Sequence, residues 1–479
     1  MNVEQTMTTI SRTRTLTLAG LVAALALAGC VNPGGIAPQA QRIDQAALVP
    51  NAAPAVDVGD RWWTAFADPR LDELVDRSLS ANPNLATARL RIECALALAD
   101  AADASRQPRV EAGLDASRQH YTANGAYSPL LAGNTRTSGS LLLNGSWEID
   151  AFGRQRAVLD AAVGTRRAAE ADYQAARVLL ASNLVRQYVQ LARLLDQRAV
   201  LERSLAQREE ILGLIKQRVA AGLDTTVELR QGEGAVPEIR AALEATDEQV
   251  ALTRHLLAVL SGQGPDAVDG WAPRLAAVNI VPLPPAVPAD LLGRRADVAA
   301  ARWRIEAATS DLQAAKAQFY PSINLVAFAG FSSVGLGQLL EAGSRQIGVG
   351  PAVRLPIFDA GRLRANYKGR AVDVDTAVQT YNAAVLDAVR EAADALSSVQ
   401  SVARQQREQA LTLASAESAY ELALQRYSAG LSTYLSVLSV ETNVLAQRRA
   451  SNELKARALD SQALLVRALG GGYQQDRPV

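Results

Sequence analysis

Side chains able to do chemistry are scarce in this chain. It holds two histidines, His120 and His255, and two cysteines, Cys30 and Cys94, in 479 residues. A structural zinc site draws about four ligands from closely spaced Cys, His or carboxylate residues. His120 stands beside a polar loop and His255 within an Ala/Leu-rich stretch, with no companion pattern near either. No serine–histidine–acid set is discernible around them. The Gly-rich GLGQ (335–338) lacks the lysine and following helix of a phosphate loop and reads as a plain loop. No catalytic residue, metal or cofactor is expected, and the chain is not expected to be an enzyme. With 49 basic and 49 acidic residues the net charge is zero, so no basic field points to nucleic acid.

Cys30 differs because of what precedes it. Arg12 and Arg14 lead into an apolar run, Leu16 to Leu27, that ends in Leu27-Ala28-Gly29-Cys30. This is the layout of a secretory signal peptide over residues 1–29. The run is shorter than the roughly 20 residues of a spanning helix. LAGC resembles the bacterial lipobox, in which the cysteine is lipidated and becomes the first mature residue; the other reading is a small apolar residue. Each buried methylene of an acyl chain contributes about 0.8 kcal/mol to anchoring. By the same resemblance, Val31 favours the outer membrane over retention in the inner one. Cys94 then has no disulfide partner, and its Ala/Leu-rich surroundings suggest a small buried packing residue. Pro33, Pro38, Pro50 and Pro54 mark residues 30–60 as an extended, lipid-anchored linker.

The other polar candidates take their meaning from the elements that carry them, and those elements occur twice. ATARLRIECALALADAADASRQPRVEAGL (86–114) parallels AAARWRIEAATSDLQAAKAQFYPSINLVA (299–327), FGRQRA (152–157) parallels DAGRLRA (359–365), and KQRVAAGLDTTVELR (216–230) parallels QRYSAGLSTYLSVLS (425–439). Three blocks in one order indicate internal duplication. The first repeat is expected over 61–280 and the second over 281–479, joined at the Pro-rich 281–288.

Each half has a helix ending near Pro108 or Pro321, two strand-like stretches, then very long helix. Strands are expected at about 109–121, 138–151, 322–332 and 345–358. Leu141, Leu143, Gly145, Trp147 and Ile149 share one parity, as do Ile347, Val349, Val353, Leu355 and Ile357: the period of a half-buried strand. No proline interrupts the sequence between Pro356 and Pro478. Val378, Tyr381, Val385, Val389, Ala392, Leu396, Val399 and Val402 recur at helical spacing, a seam for neighbouring helices. A helix over 366–429 extends roughly 95 Å at 1.5 Å per residue, the length of a tube or coiled coil.

Four strands cannot close a membrane barrel, since the smallest have about eight and open edges are not tolerated in lipid. DRWWTAFADPRLDEL (60–74), NPNLATARLRI (82–92), SWEIDAFGRQRA (146–157), LLGRRADVAAARWRI (291–305), AQFYPSINL (317–325) and LPIFDAGRLRA (355–365) give the chain a resemblance to TolC-type outer membrane factors, specifically the lipoprotein branch serving tripartite efflux pumps. That resemblance implies an α+β membrane protein. As a homotrimer, it would form one twelve-strand barrel in outer membrane lipid, continued by a helical periplasmic tunnel. It implies a passive exit duct for small molecules, working with an inner-membrane pump and a periplasmic adaptor. The competing reading is a periplasmic coiled-coil adaptor or scaffold lipoprotein.

Gly222 and Gly430 stand where a long helix ends. Asp224 or Thr225, and Ser432 or Thr433, can cap the next helix. The resemblance places both turns at the periplasmic tip, where the pore closes and adaptors dock. In many relatives the second turn carries acids six and nine positions after its glycine, which form an acidic ring at the constriction; here those positions are Ser436 and Ser439. Glu228 lies six after Gly222, where it is either a gate acid or a capping-box partner of Thr225. Tyr427 matches a tyrosine that relatives use between coils near the closed tip; the alternative is packing within one coil. Arg218 and Arg426 read as tip salt-bridge or solvated residues.

Overall fold

The computed structural model describes residues 34–44, 48, 58–278 and 291–474. Cys30, the signal peptide and the Pro-rich join lie outside the described residues. In chain order the elements are helices α1 (Pro69–Ala81) and α2 (Pro83–Ala104), strands β1 (Arg109–His120) and β2 (Thr135–Ile149), helices α3 (Arg154–Ala220) and α4 (Thr226–Leu260), helix α5 (Ala296–Ala317), strands β3 (Ser322–Val334) and β4 (Arg345–Arg354), and helices α6 (Arg362–Ser428) and α7 (Tyr434–Ala468), with short 3₁₀ turns between. The chain divides into two compact units.

The first unit contains the sheet and covers, among described residues, 34–42, 93–168 and 302–381. All strand pairs are antiparallel in the order β1-β2-β3-β4, so the two halves meet at the central β2–β3 pair. Strand β4 stops at Arg354 rather than near 358. Pro356 has no N–H to give a ladder, so Leu355 and Ile357 leave the sheet although they share its parity. Beside the sheet, Phe152 and Tyr320 stack with centroids 5.0 Å apart. The extended segment before Ile43 is pinned to α6 by Asp375, whose Oδ1 accepts from Gln39 N at 2.7 Å and Ala40 N at 2.8 Å.

The second unit comprises residues 43–92, 169–301 and 382–479, less those outside the described set. Its core gathers Trp62, Trp63, Phe66, Leu71, Leu74 and Val75 against Leu184, Tyr188 and Leu191 of α3, Leu257 of α4, and Leu459 and Ala463 of α7. Asp68 caps α1 through Arg70 N, and its Oδ2 accepts the Tyr188 hydroxyl at 2.6 Å. Burial and that carboxylate push the Tyr188 phenol far up.

On the α6 seam Val378, Tyr381, Val385, Ala392 and Val402 are buried. Cys94 is corrected: it is exposed on the single chain. Ala95 and Ala99, four apart, form the inward stripe of α2, and Cys94 sits about 100° around the helix from Ala95.

Candidate functional site

Pairing register decides which sheet residues share a face. Val110, Ala112 and Leu114 of β1 oppose Gly145, Leu143 and Leu141 of β2. These oppose Ala327, Ala329 and Phe331 of β3, and Ala327 and Ala329 oppose Val349 and Ile347 of β4. Because side chains alternate, this face is apolar across all four strands. Among the described residues it stands largely uncovered: Val110 is 72% exposed, Val349 75% and Ile347 85%. The opposite face carries Glu111, Asp115, Ser140, Asn144, Ser146, Asn324 and Ser332, with Leu142, Val326 and Phe328 among them. Among the described residues, the outer edges of β1 and β4 have no partner strand. Apolar on one side, polar on the other and open at both edges, the sheet suits a barrel segment between lipid and water, completed by other copies.

The turns lie in the second unit. Helix α3 ends at Ala220; Gly222 has φ +73°, a left-handed conformation that an L side chain rarely adopts. Leu223 N closes onto Arg218 O at 2.8 Å. Thr225 is the N-cap of α4 and makes a full capping box with Glu228, whose Oε2 accepts from Thr225 N at 3.0 Å. The Thr225 hydroxyl also donates to that carboxylate. These bonds, the hydroxyl first, hold the Glu228 carboxyl below its usual range. Of the two roles left open for Glu228, the geometry forms the cap.

The second turn repeats this backbone. Helix α6 ends at Ser428, Gly430 has φ +76°, and Leu431 N closes onto Arg426 O at 2.8 Å. Its N-cap is Thr433, without a side-chain capping bond. Ser436 and Ser439 are exposed, and Ser436 Oγ lies 3.4 Å from the Thr433 hydroxyl.

The two turns are joined through a residue whose partner the sequence did not disclose. Asp224 Oδ2 accepts from Arg218 Nε at 2.9 Å and from the Tyr427 hydroxyl at 2.9 Å, and Oδ1 accepts from Arg218 Nη2 at 3.2 Å. The Arg218 guanidinium stands 4.9 Å from the centroid of the Tyr427 ring. Tyr427 is fully buried, packed with Ile211, Ile215, Tyr420, Tyr434 and Val437. Arg218, then the Tyr427 hydroxyl, outweigh burial and hold the Asp224 carboxyl below its ordinary value. Burial, then Asp224, pushes the Tyr427 phenol up. A charged hydrogen-bond network thus ties the first hairpin (α3–α4) to the second (α6–α7) beside the reversals. The clue was Arg218 six residues before an acid, a spacing the second turn lacks because Ser432 replaces that acid.

Each turn also exposes a pair of apolar side chains. Leu223 and Val227 are 67% and 60% exposed, and Leu431 and Leu435 are 70% and 57%.

An uncovered apolar sheet with open edges, carried by a chain with two long helical hairpins, defines a subunit of a membrane pore. Comparison with known proteins agrees. A family model described as outer membrane efflux protein matches residues 74–263 and 287–471, and the chain belongs to that family. It is 37% identical over 368 residues to the fusaric acid resistance protein FusA of Burkholderia cepacia, covering 73% of this chain and 68% of that protein. Identity to the pyoverdine export outer membrane protein OpmQ of Pseudomonas putida is 31%, over 95% of this chain and 97% of that one. The structure of the outer membrane protein VceC from Vibrio cholerae superimposes with a TM-score of 0.82 at 32% identity, over 88% of this chain and all of the other.

The fold is therefore TolC-like, with four strands per chain contributing to a trimeric barrel and long helices forming a tunnel. The protein is an outer membrane exit duct for tripartite efflux. The adaptor reading gives way to this family membership.

Proposed function

We propose that the two helical reversals form the regulated periplasmic end of the duct, and that Asp224, Arg218 and Tyr427 are the latch that keeps it shut. The observation that carries this reading is the single carboxylate accepting hydrogen bonds from both hairpins. Opening the end means separating the hairpins, and that breaks the Tyr427–Asp224 bond. Glu228 supports α4 through its capping box, while Ser436 and Ser439 leave the second turn without an acidic ring. The exposed pairs Leu223/Val227 and Leu431/Leu435 suit docking by a periplasmic adaptor, which would link the duct to an inner-membrane pump.

Cys30 is the proposed lipid anchor, after removal of residues 1–29. Residues 61–280 and 281–479 are proposed as the two repeats. Relatives named for fusaric acid resistance and pyoverdine export support small organic molecules as cargo. In planar bilayers the purified protein should conduct as one pore per three chains, and Tyr427→Phe should raise its conductance. An unchanged conductance would remove Tyr427 from the gate.

A further inference from the structure

The hairpins meet again away from the turns, around one carboxylate. Glu441 of α7 is 2% exposed, sealed by its own chain before any second copy is added. Its close charged neighbour is Arg208 of α3, 4% exposed, with Nε 3.3 Å from Glu441 Oε2. The approach is an ion pair without hydrogen-bond alignment: Arg208 Nε and both Glu441 oxygens are buried and lack a hydrogen-bond partner. The guanidinium instead aims Nη1 at Ala235 O and Glu238 Oε2, both at 2.9 Å.

The other ionisable groups that act on this carboxylate are Glu238 of α4, Tyr420 of α6 and Tyr434 of α7, while Glu210 of α3 and Arg448 of α7 act on Tyr420. Burial pushes Tyr420 up to about 12 and raises Tyr434, so both phenols stay neutral through the physiological range. For Glu441, burial outweighs Arg208 and, with a small push from Glu238, lifts the carboxyl above its ordinary range. A buried carboxylate with neither oxygen hydrogen-bonded favours its neutral form.

We infer that Glu441 is a proton-binding site through which periplasmic pH sets the closure of the tube, the protonated carboxyl favouring packed hairpins and the ionised one favouring their separation and its own hydration. This rests on the proposed function in one respect, that opening parts the same two hairpins. The closed state holds the proton more tightly than an open state with Glu441 in water, so acid closes and alkali opens. Each unit of difference between the two states' affinities changes the closed-to-open ratio about tenfold per chain. Asp224 stays ionised over the same interval and adds no slope.

The test is the open fraction of full-length trimer in planar bilayers at constant salt from about pH 5 to pH 8. The wild-type open fraction should fall at least about tenfold towards the acid end. Glu441→Gln, neutral and nearly isosteric, should be low and flat. Arg208→Met removes the opposing cation and should move the wild-type midpoint upward. A Glu441→Gln curve with the wild-type slope, or an Arg208→Met midpoint that stays or moves down, overturns the proton site. Should Tyr427→Phe open the pore while Glu441→Gln keeps the slope, the proton site alone fails. A flat Glu441→Gln curve beside an unchanged Tyr427→Phe conductance keeps the proton site and rejects the tyrosine latch.

Discussion

The turns at Gly222 and Gly430 share a left-handed glycine, an exposed leucine after it, an arginine four residues before it and a threonine cap. They differ in what stands two residues after the glycine. At the first turn Asp224 neutralises Arg218 and reaches across to Tyr427. At the second, Ser432 has a buried hydroxyl with no partner, and Arg426 is exposed. One backbone design, written twice, thus holds a charged hydrogen-bond network in one copy only. The two turns share a scaffold, and the difference at Asp224/Ser432 decides which of them reaches the other hairpin.

The largest effect is expected from Asp224→Ala. It strips the acceptor from a buried phenol and a mostly buried guanidinium, a loss of about 1–3 kcal/mol, while Ser432→Ala should change nothing. Sensitivity of cells to a bulky antibiotic normally excluded by the outer membrane reads the difference. Next comes Tyr427→Phe, which removes one of the three hydrogen bonds to Asp224 and should weaken closure by about 0.5–1.5 kcal/mol. Equal leakage from both variants would mean that Arg218 contributes nothing.

Acid should spare this latch until unusually low pH. The Asp224 carboxyl is depressed from 3.8, so its contribution is complete above that value and fades as pH falls through the lower folded one. Ser436→Asp combined with Ser439→Asp should leave the latch intact but make conductance sensitive to divalent cations. No new sensitivity would show that these positions do not line the constriction. Smallest is Glu228→Gln: faster hydrogen exchange in the first turn of α4, from a weaker cap, with conductance unchanged.

How far the sequence could be read follows the same contrast between local and long-range causes. The strands, the long helices, the two reversals and the capping box are governed by residues close in the chain; Gly222 and Thr225 mark the first reversal by spacing, while Glu228 keeps two roles open until the cap is seen. The partner of Asp224 lies 203 positions away, and depends on how two hairpins dock. The same holds for Glu441: only the assembled hairpins reveal that its carboxyl is sealed. Cys94 lies one step around α2 from the buried stripe, and an Ala-rich helix offers little hydrophobic contrast to fix its phase. Parity alone carries strand β4 on through Leu355 and Ile357, but the ladder ends at Arg354, ahead of Pro356.

Whether Asp224 holds the pore shut is decided by single-channel conductance of Asp224→Ala beside Ser432→Ala, in the same bilayers and salt. A pore held open by Asp224→Ala and wild-type closure in Ser432→Ala are the expected results. Equal conductance of the two variants would contradict that role for Asp224.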